Sequence, residues 1–108
     1  MAFSDDVVQK VWEKGEAVYV DGKVSDDWRK DQCGAWISRK AYGDRKSSYG
    51  WEVDHIKTQA NGGGDELSNL RPLHWENNVA KSDGNLKCVL TSSGNKNGAC
   101  PEFCVNGV

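Results

Sequence analysis

At 108 residues and 11.9 kDa, with 37% hydrophobic content and five Trp, the chain has the length and apolar content for one small domain with a single modest core. Its 28% charged content and formal net charge of −2 suit a water-soluble surface. No apolar run approaches the ~20 residues of a membrane span, which excludes a helical membrane-spanning protein.

The first residues, Met1-Ala2-Phe3-Ser4-Asp5-Asp6, are acidic rather than basic and lead into no signal-type apolar segment, so a cytoplasmic protein is expected. Ser4 to Lys14 predicts an amphipathic helix. Ser4 is placed as N-cap, Asp5 and Asp6 lie in the first turn, and Val7, Val8, Val11 and Trp12 share one face, with Gly15 as the stop. The apolar face serves as core, or alternatively as a dimerisation surface. Ala17 to Val20 and Lys23-Val24 flank Asp21-Gly22, a two-residue hairpin signal with a short second arm.

Charge then reverses sign. Residues 1–27 hold three Lys and seven acids, net −4, whereas residues 28–46 hold Arg29, Lys30, Arg39, Lys40, Arg45 and Lys46 against Asp31 and Asp44, net +4. Such a segment is either a solvated face or a contact surface for a phosphate backbone, and Arg39, Lys40, Arg45 and Lys46 are its candidate contacts. Within it, Ala35 to Ser38 predicts a strand packed beneath the stretch that begins at Trp51, Tyr42-Gly43-Asp44 a turn, and Trp36 and Trp51 core residues rather than base-stacking groups.

Trp51-Glu52-Val53-Asp54-His55-Ile56 alternates apolar and polar residues and predicts a strand. Asp54 and His55 then face opposite sides unless the strand bulges or ends there. Asn61-Gly62-Gly63-Gly64-Asp65 predicts a loop, Leu70 to Leu73 a returning strand held to an edge by Pro72, and Trp75 to Lys81 a short helix stopped by Ser82-Asp83-Gly84. Leu86 to Thr91 predicts a further extended piece, Ser92 to Gly98 a flexible turn-rich loop, and Cys100 to Val108 a loosely held end.

Residues 51–83, with Asp54-His55 at the end of one strand, Asn69 before the next and Asn78 nine residues later, resemble the HNH endonuclease family in its HNN variant. Asn78 to Asp83 also resembles the helix of the HNH domain in CRISPR effector nucleases. The resemblance implies an α+β domain with a ββα-metal core, extended by the N-terminal helix and extra strands. The chain then divides into an acidic helix and hairpin (1–27), a basic segment (28–50), the motif (51–84) and a C-terminal extension (85–108). It also implies hydrolysis of DNA phosphodiester bonds to 5′-phosphate and 3′-hydroxyl ends.

The chemistry of these residues fits that implication. Phosphodiester hydrolysis needs an activated water and positive charge against the phosphoryl and leaving oxygens. Asp54 and Asn78 each offer an oxygen to one hard cation, with Mg²⁺ or Mn²⁺ favoured over Zn²⁺. His55 suits the general base, and Asn69, which donates and accepts at once, suits a brace for the loop and the His55 backbone. Lys57 and Lys81 flank the site as candidate phosphate contacts. His74 stands too early for the third motif position and is read as a packing or phosphate-contacting residue, or, with the helix shifted, as one that approaches the metal.

Many HNH proteins carry two Cys-x-x-Cys pairs around a structural Zn²⁺, and here neither pair is present. Cys33 and Cys88 are expected as free, partly buried thiols, and a four-cysteine zinc site with Cys100 and Cys104 requires the tail to fold back. Two other readings stand beside the autonomous enzyme. One is a module on the same fold that holds nucleic acid or protein without cutting, and the other is a nuclease docked to a protein partner or second copy through the acidic N-terminal region.

Overall fold

The computed structural model describes residues 3–81 and 84–101. Helix α1 (Asp5–Trp12) starts where the sequence places it, because the Ser4 hydroxyl accepts from Val7 N at 3.2 Å. It is two residues shorter at its end than the apolar pattern suggests, and Lys14 instead donates to the carbonyls of Leu67 and Leu70. The α1 face made of Val8, Val11 and Trp12 is buried against Ile37, Trp51 and Leu70, with Phe3, Val7 and Val53 around them. That face is core.

Strands β1 (Glu16–Val20) and β2 (Lys23–Lys30) form the expected hairpin, with Asp21 at φ 52° and Gly22 at φ 79° supplying its two positive-φ turn positions. The second arm is not short. It continues to Lys30 because its later half pairs with β3 (Trp36–Ser38), Trp28 opposite Ser38 and Lys30 opposite Trp36. The irregular step comes where Ser25 Oγ accepts from the backbone of Asp27 and Trp28.

β4 (Trp51–His55) and β5 (Leu70–His74) pair antiparallel in a second sheet, Trp51 opposite His74 and Asp54 opposite Arg71. Helix α2 (Trp75–Ala80) follows directly. Of its expected stop, Ser82 and Asp83 lie outside the described residues, as does the tail from residue 102, including Cys104. The segment 92–98, expected as a flexible loop, is instead a hairpin of β6 (Leu90–Ser93) and β7 (Lys96–Ala99), and β6 begins later than the extended piece expected from Leu86. Its order comes from side chains. Asn97 Oδ1 accepts from Trp36 N at 2.7 Å, Asn97 Nδ2 donates to Trp36 O at 2.9 Å, and Trp36 Nε1 donates to Gly94 O at 2.8 Å. The chain is thus a mixed α and β protein with two short α-helices and three small antiparallel sheets among its described residues. None of these helices is long and apolar enough to cross a membrane.

Under the second sheet lies a buried carboxylate. Asp31 is 3% exposed, and its Oδ1 accepts from Cys33 N and Ala35 N while its Oδ2 accepts from His74 N and Asn77 Nδ2. Burial raises the Asp31 pKa above the ordinary carboxylate value, outweighing the hydrogen bonds from His74 and Asn77 that favour the charged form. Asn77, itself fully buried, passes the connection on by accepting from Val89 N and Leu90 N.

Beside this network Cys33 and Cys88 form a disulfide, their Cα atoms 5.5 Å apart. The expectation of free thiols is corrected: residues 55 apart in sequence meet because Asp31 and Asn77 bring their segments together. Cys100 is disulfide-bonded as well, so three of the four cysteines hold no free thiolate, and Cys104 lies outside the described residues. Disulfides persist in oxidising surroundings and are rare in the cytosol, so these bridges lend no support to the cytoplasmic expectation, which rests on the N-terminal residues.

Asp31→Ala strands four N–H donors in the interior and is expected to cost at least about 3 kcal/mol, read as a lowered midpoint of urea unfolding. Reduction of the Cys33–Cys88 bridge, which closes a loop of 55 residues, is expected to cost about 4 kcal/mol in the same assay if chain entropy dominates.

Candidate active site

Strand β4 sorts its side chains by alternation. Trp51 is fully buried in the core, and Val53 and the Phe3–His55 ring contact lie against that core. Glu52 and Asp54 face the other way, toward α2. The expectation that Asp54 and His55 occupy opposite faces describes the geometry.

On the first face, His55 Nε2 lies 2.7 Å from Asp65 Oδ1. A carboxylate only accepts, so the pairing assigns the proton to Nε2 and leaves the lone pair of the neutral ring on Nδ1. Asp65 is delivered by the glycine-rich loop. Gly62 takes φ 88°, and a Cβ on Gly63 would fall 1.8 Å from the Lys57 carbonyl, so both positions need glycine. Asn69 closes this loop: its Oδ1 accepts from Lys57 N at 2.8 Å and its Nδ2 donates to Lys57 O and Gly64 O. The side chain therefore holds the backbone two residues beyond His55, while His55 itself pairs with Leu70 in the sheet.

On the second face, Asp54 is 4% exposed and both its oxygens carry cations. Arg71 Nε lies 2.8 Å from Oδ2 and Lys81 Nζ 2.5 Å from Oδ1, and Lys81 also donates to His55 O at 2.9 Å. Asn78, one turn before Lys81 on α2, donates to Glu52 Oε1 at 2.7 Å. Glu52 is gripped in turn by Arg45 through two hydrogen bonds, at 2.6 and 2.9 Å. The Arg45 hydrogen bond, followed by that from Asn78, holds the Glu52 pKa below its usual value despite partial burial.

The other candidate contacts divide. Arg45 is committed to Glu52, and Arg39 donates to Gln9 Oε1 and lies over the Trp51 ring. Lys40 approaches Asp27 at 3.9 Å on an open surface, and Lys46 and Lys57 are exposed. His74 is fully buried, with Nε2 donating to Ser48 O and Nδ1 accepting from Glu76 N to cap α2. Both ring nitrogens are thus used in packing, so His74 neither meets a phosphate nor approaches a metal.

Sequence reasoning missed three partners. Arg71 was readable once β4 and β5 were put in register, since it stands directly opposite Asp54. Glu52 was readable from alternation, two residues before Asp54 on one face. Nothing local marks Asp65 as the partner of His55.

Among the described residues no group of three or more His, Cys, Asp or Glu side chains is arranged for a metal ion. The oxygens nevertheless suit a hard cation: the Lys81 ammonium, seated between Asp54 Oδ1 and His55 O, shows that this position favours positive charge. Asn78 uses its amide nitrogen on Glu52, which keeps its oxygen as a donor atom.

Comparison with protein families matches residues 37–84 to the HNH endonuclease family, a little under half of the chain. The matched stretch begins in β3 and runs through β4, the loop, β5 and α2, and points to a nuclease-type or nucleic-acid-binding function. Comparisons with curated proteins and with solved structures give no match.

Arg45→Ala is expected to raise the Glu52 pKa toward the usual carboxylate value, because the largest stabiliser of the charged form is gone. A carboxyl-detected NMR titration of wild type and variant measures the shift, and an unchanged Glu52 would remove Arg45 from that role.

Proposed function

We propose that the chain is a metal-dependent endonuclease hydrolysing DNA phosphodiester bonds on a ββα-metal core made of β4, β5 and α2. One observation carries the reading: the last two residues of β4 present, on its two faces, an imidazole held by Asp65 and a carboxylate in a position that holds a cation. Asp54 and Asn78 supply the oxygens for Mg²⁺ or Mn²⁺. Such an ion, when bound, polarises the phosphoryl group and stabilises the leaving oxygen.

The protein's own groups do the rest. His55, with Nε2–H held by Asp65, accepts a proton from the attacking water at Nδ1. Arg71 holds the Asp54 carboxylate in place across the strand pair, and Asn69 fixes the loop that carries Asp65. Lys57, Lys46 and Lys40 supply exposed positive charge for the DNA backbone, and Arg39 is a further candidate contact. The acidic side of α1, with Asp5, Asp6 and Glu13 exposed, stays available to a protein partner.

A second reading has its own support. Because Arg71 and Lys81 already neutralise both oxygens of Asp54, a module that binds nucleic acid without cutting it needs no metal at all. Supercoiled plasmid separates the two. With Mg²⁺ or Mn²⁺ the protein is expected to nick it, chelator to stop the reaction, and His55→Ala to lower the rate at least about 100-fold with little change in DNA affinity. Binding without cleavage under either metal would establish the non-cleaving module instead.

A further inference from the structure

Resting on the metal reading above, we infer that Lys81 is an internal counter-cation: it occupies the cation position at Asp54 and is expelled when a divalent ion binds there. A lysine just past the end of a short helix is ordinarily solvated, yet the Lys81 side chain is only 9% exposed. Its ammonium has two protein oxygens within hydrogen-bond distance, Asp54 Oδ1 and His55 O.

The charge balance shows which cation leaves. Asp54 already has Arg71, which stands opposite it in the β4–β5 register and is tied at its other end to Gln32 Oε1 at 2.9 Å. Glu52 already has Arg45. One carboxylate therefore faces two cations, and Lys81 is the surplus one. Its backbone has left the helix, with φ −57° and ψ 132°, so the side chain can swing out while Asn78 stays fixed on Glu52. A divalent ion entering beside Asp54 cannot share the space with an ammonium 2.5 Å from the same oxygen. Expulsion turns a buried charge into an exposed one on the face where the DNA phosphates would lie, so arrival of the ion and creation of a phosphate contact are one event.

Calorimetric titration with Mn²⁺ tests this on four proteins. Lys81→Met is expected to bind Mn²⁺ about tenfold or more tightly than wild type, Lys81→Arg to resemble wild type or bind more weakly, and Asp54→Asn to lose the site. If wild type binds through Asp54 and Lys81→Met is no tighter, the counter-cation role is overturned while the metal reading stands. If neither wild type nor Lys81→Met binds Mn²⁺, both fall. A measurement on the wild-type chain guards against a misfolded variant. Reductive methylation of Lys81 is expected to be slow without metal and to rise about tenfold on adding Mg²⁺, with exposed Lys57 labelled equally in both. Lys81 labelling that ignores saturating Mg²⁺ overturns the inference.

Discussion

Asp31 is the constraint on which the rest of the molecule depends. A carboxylate out of water is tolerated only when its oxygens are filled, and here four N–H donors from two separated stretches of chain fill them. Those donors belong to the 31–35 turn and to the corner where β5 runs into α2. Asn77 extends the same network to the start of β6, and the Cys33–Cys88 bridge makes the connection covalent. The direction in which α2 leaves β5 is thereby fixed from below, and that direction aims Asn78 and Lys81 at β4.

The site depends on this geometry in an asymmetric way. His55 and Asp65 are held by the glycine-rich loop and Asn69, on one face of β4. Asp54, Arg71, Lys81, Glu52 and Asn78 are held by the strand register and by α2, on the other. His55 and Asp54 are thus supported by independent structural devices that meet only at the end of one strand. The α2 face is a chain of alternating charges, Arg45 to Glu52 and Arg71 to Asp54 to Lys81, in which each group is oriented by its neighbours.

Local physics made part of this readable in advance. The Ser4 cap, the Asp21-Gly22 turn, the alternation of Trp51 to His55 and the return through Leu70 are each decided by a few adjacent residues, and they came out close to where the sequence put them. The features that escaped are set by distant partners. Ser25-Asp26-Asp27 lacks strand preference and is extended only because β3 pairs further along; residues 92–98 look like a loop until Asn97 meets Trp36; Cys33 and Cys88 give no hint of each other across the sequence between them. Asp31 read as one acid in a basic segment, because nothing near it in sequence announces that it is buried. Of the candidate site, the strands and helix that position Asp54, His55, Asn69 and Asn78 were legible, while the pairing of His55 with Asp65 was not, since it is made by the loop's path.

The matched segment, residues 37–84, looks like a portable cassette, and its packing says otherwise. Trp51 and Leu70 are roofed by α1, the β5–α2 corner rests on Asp31, and Leu73 packs against Cys33 and Cys88, all of which lie outside it. Excised and grafted elsewhere, the cassette would expose an apolar underside and leave His74 N and the Asn77 amide without an acceptor. Recombination that shuffles this nuclease-like unit between proteins must therefore carry the flanking helix, turn and hairpin with it.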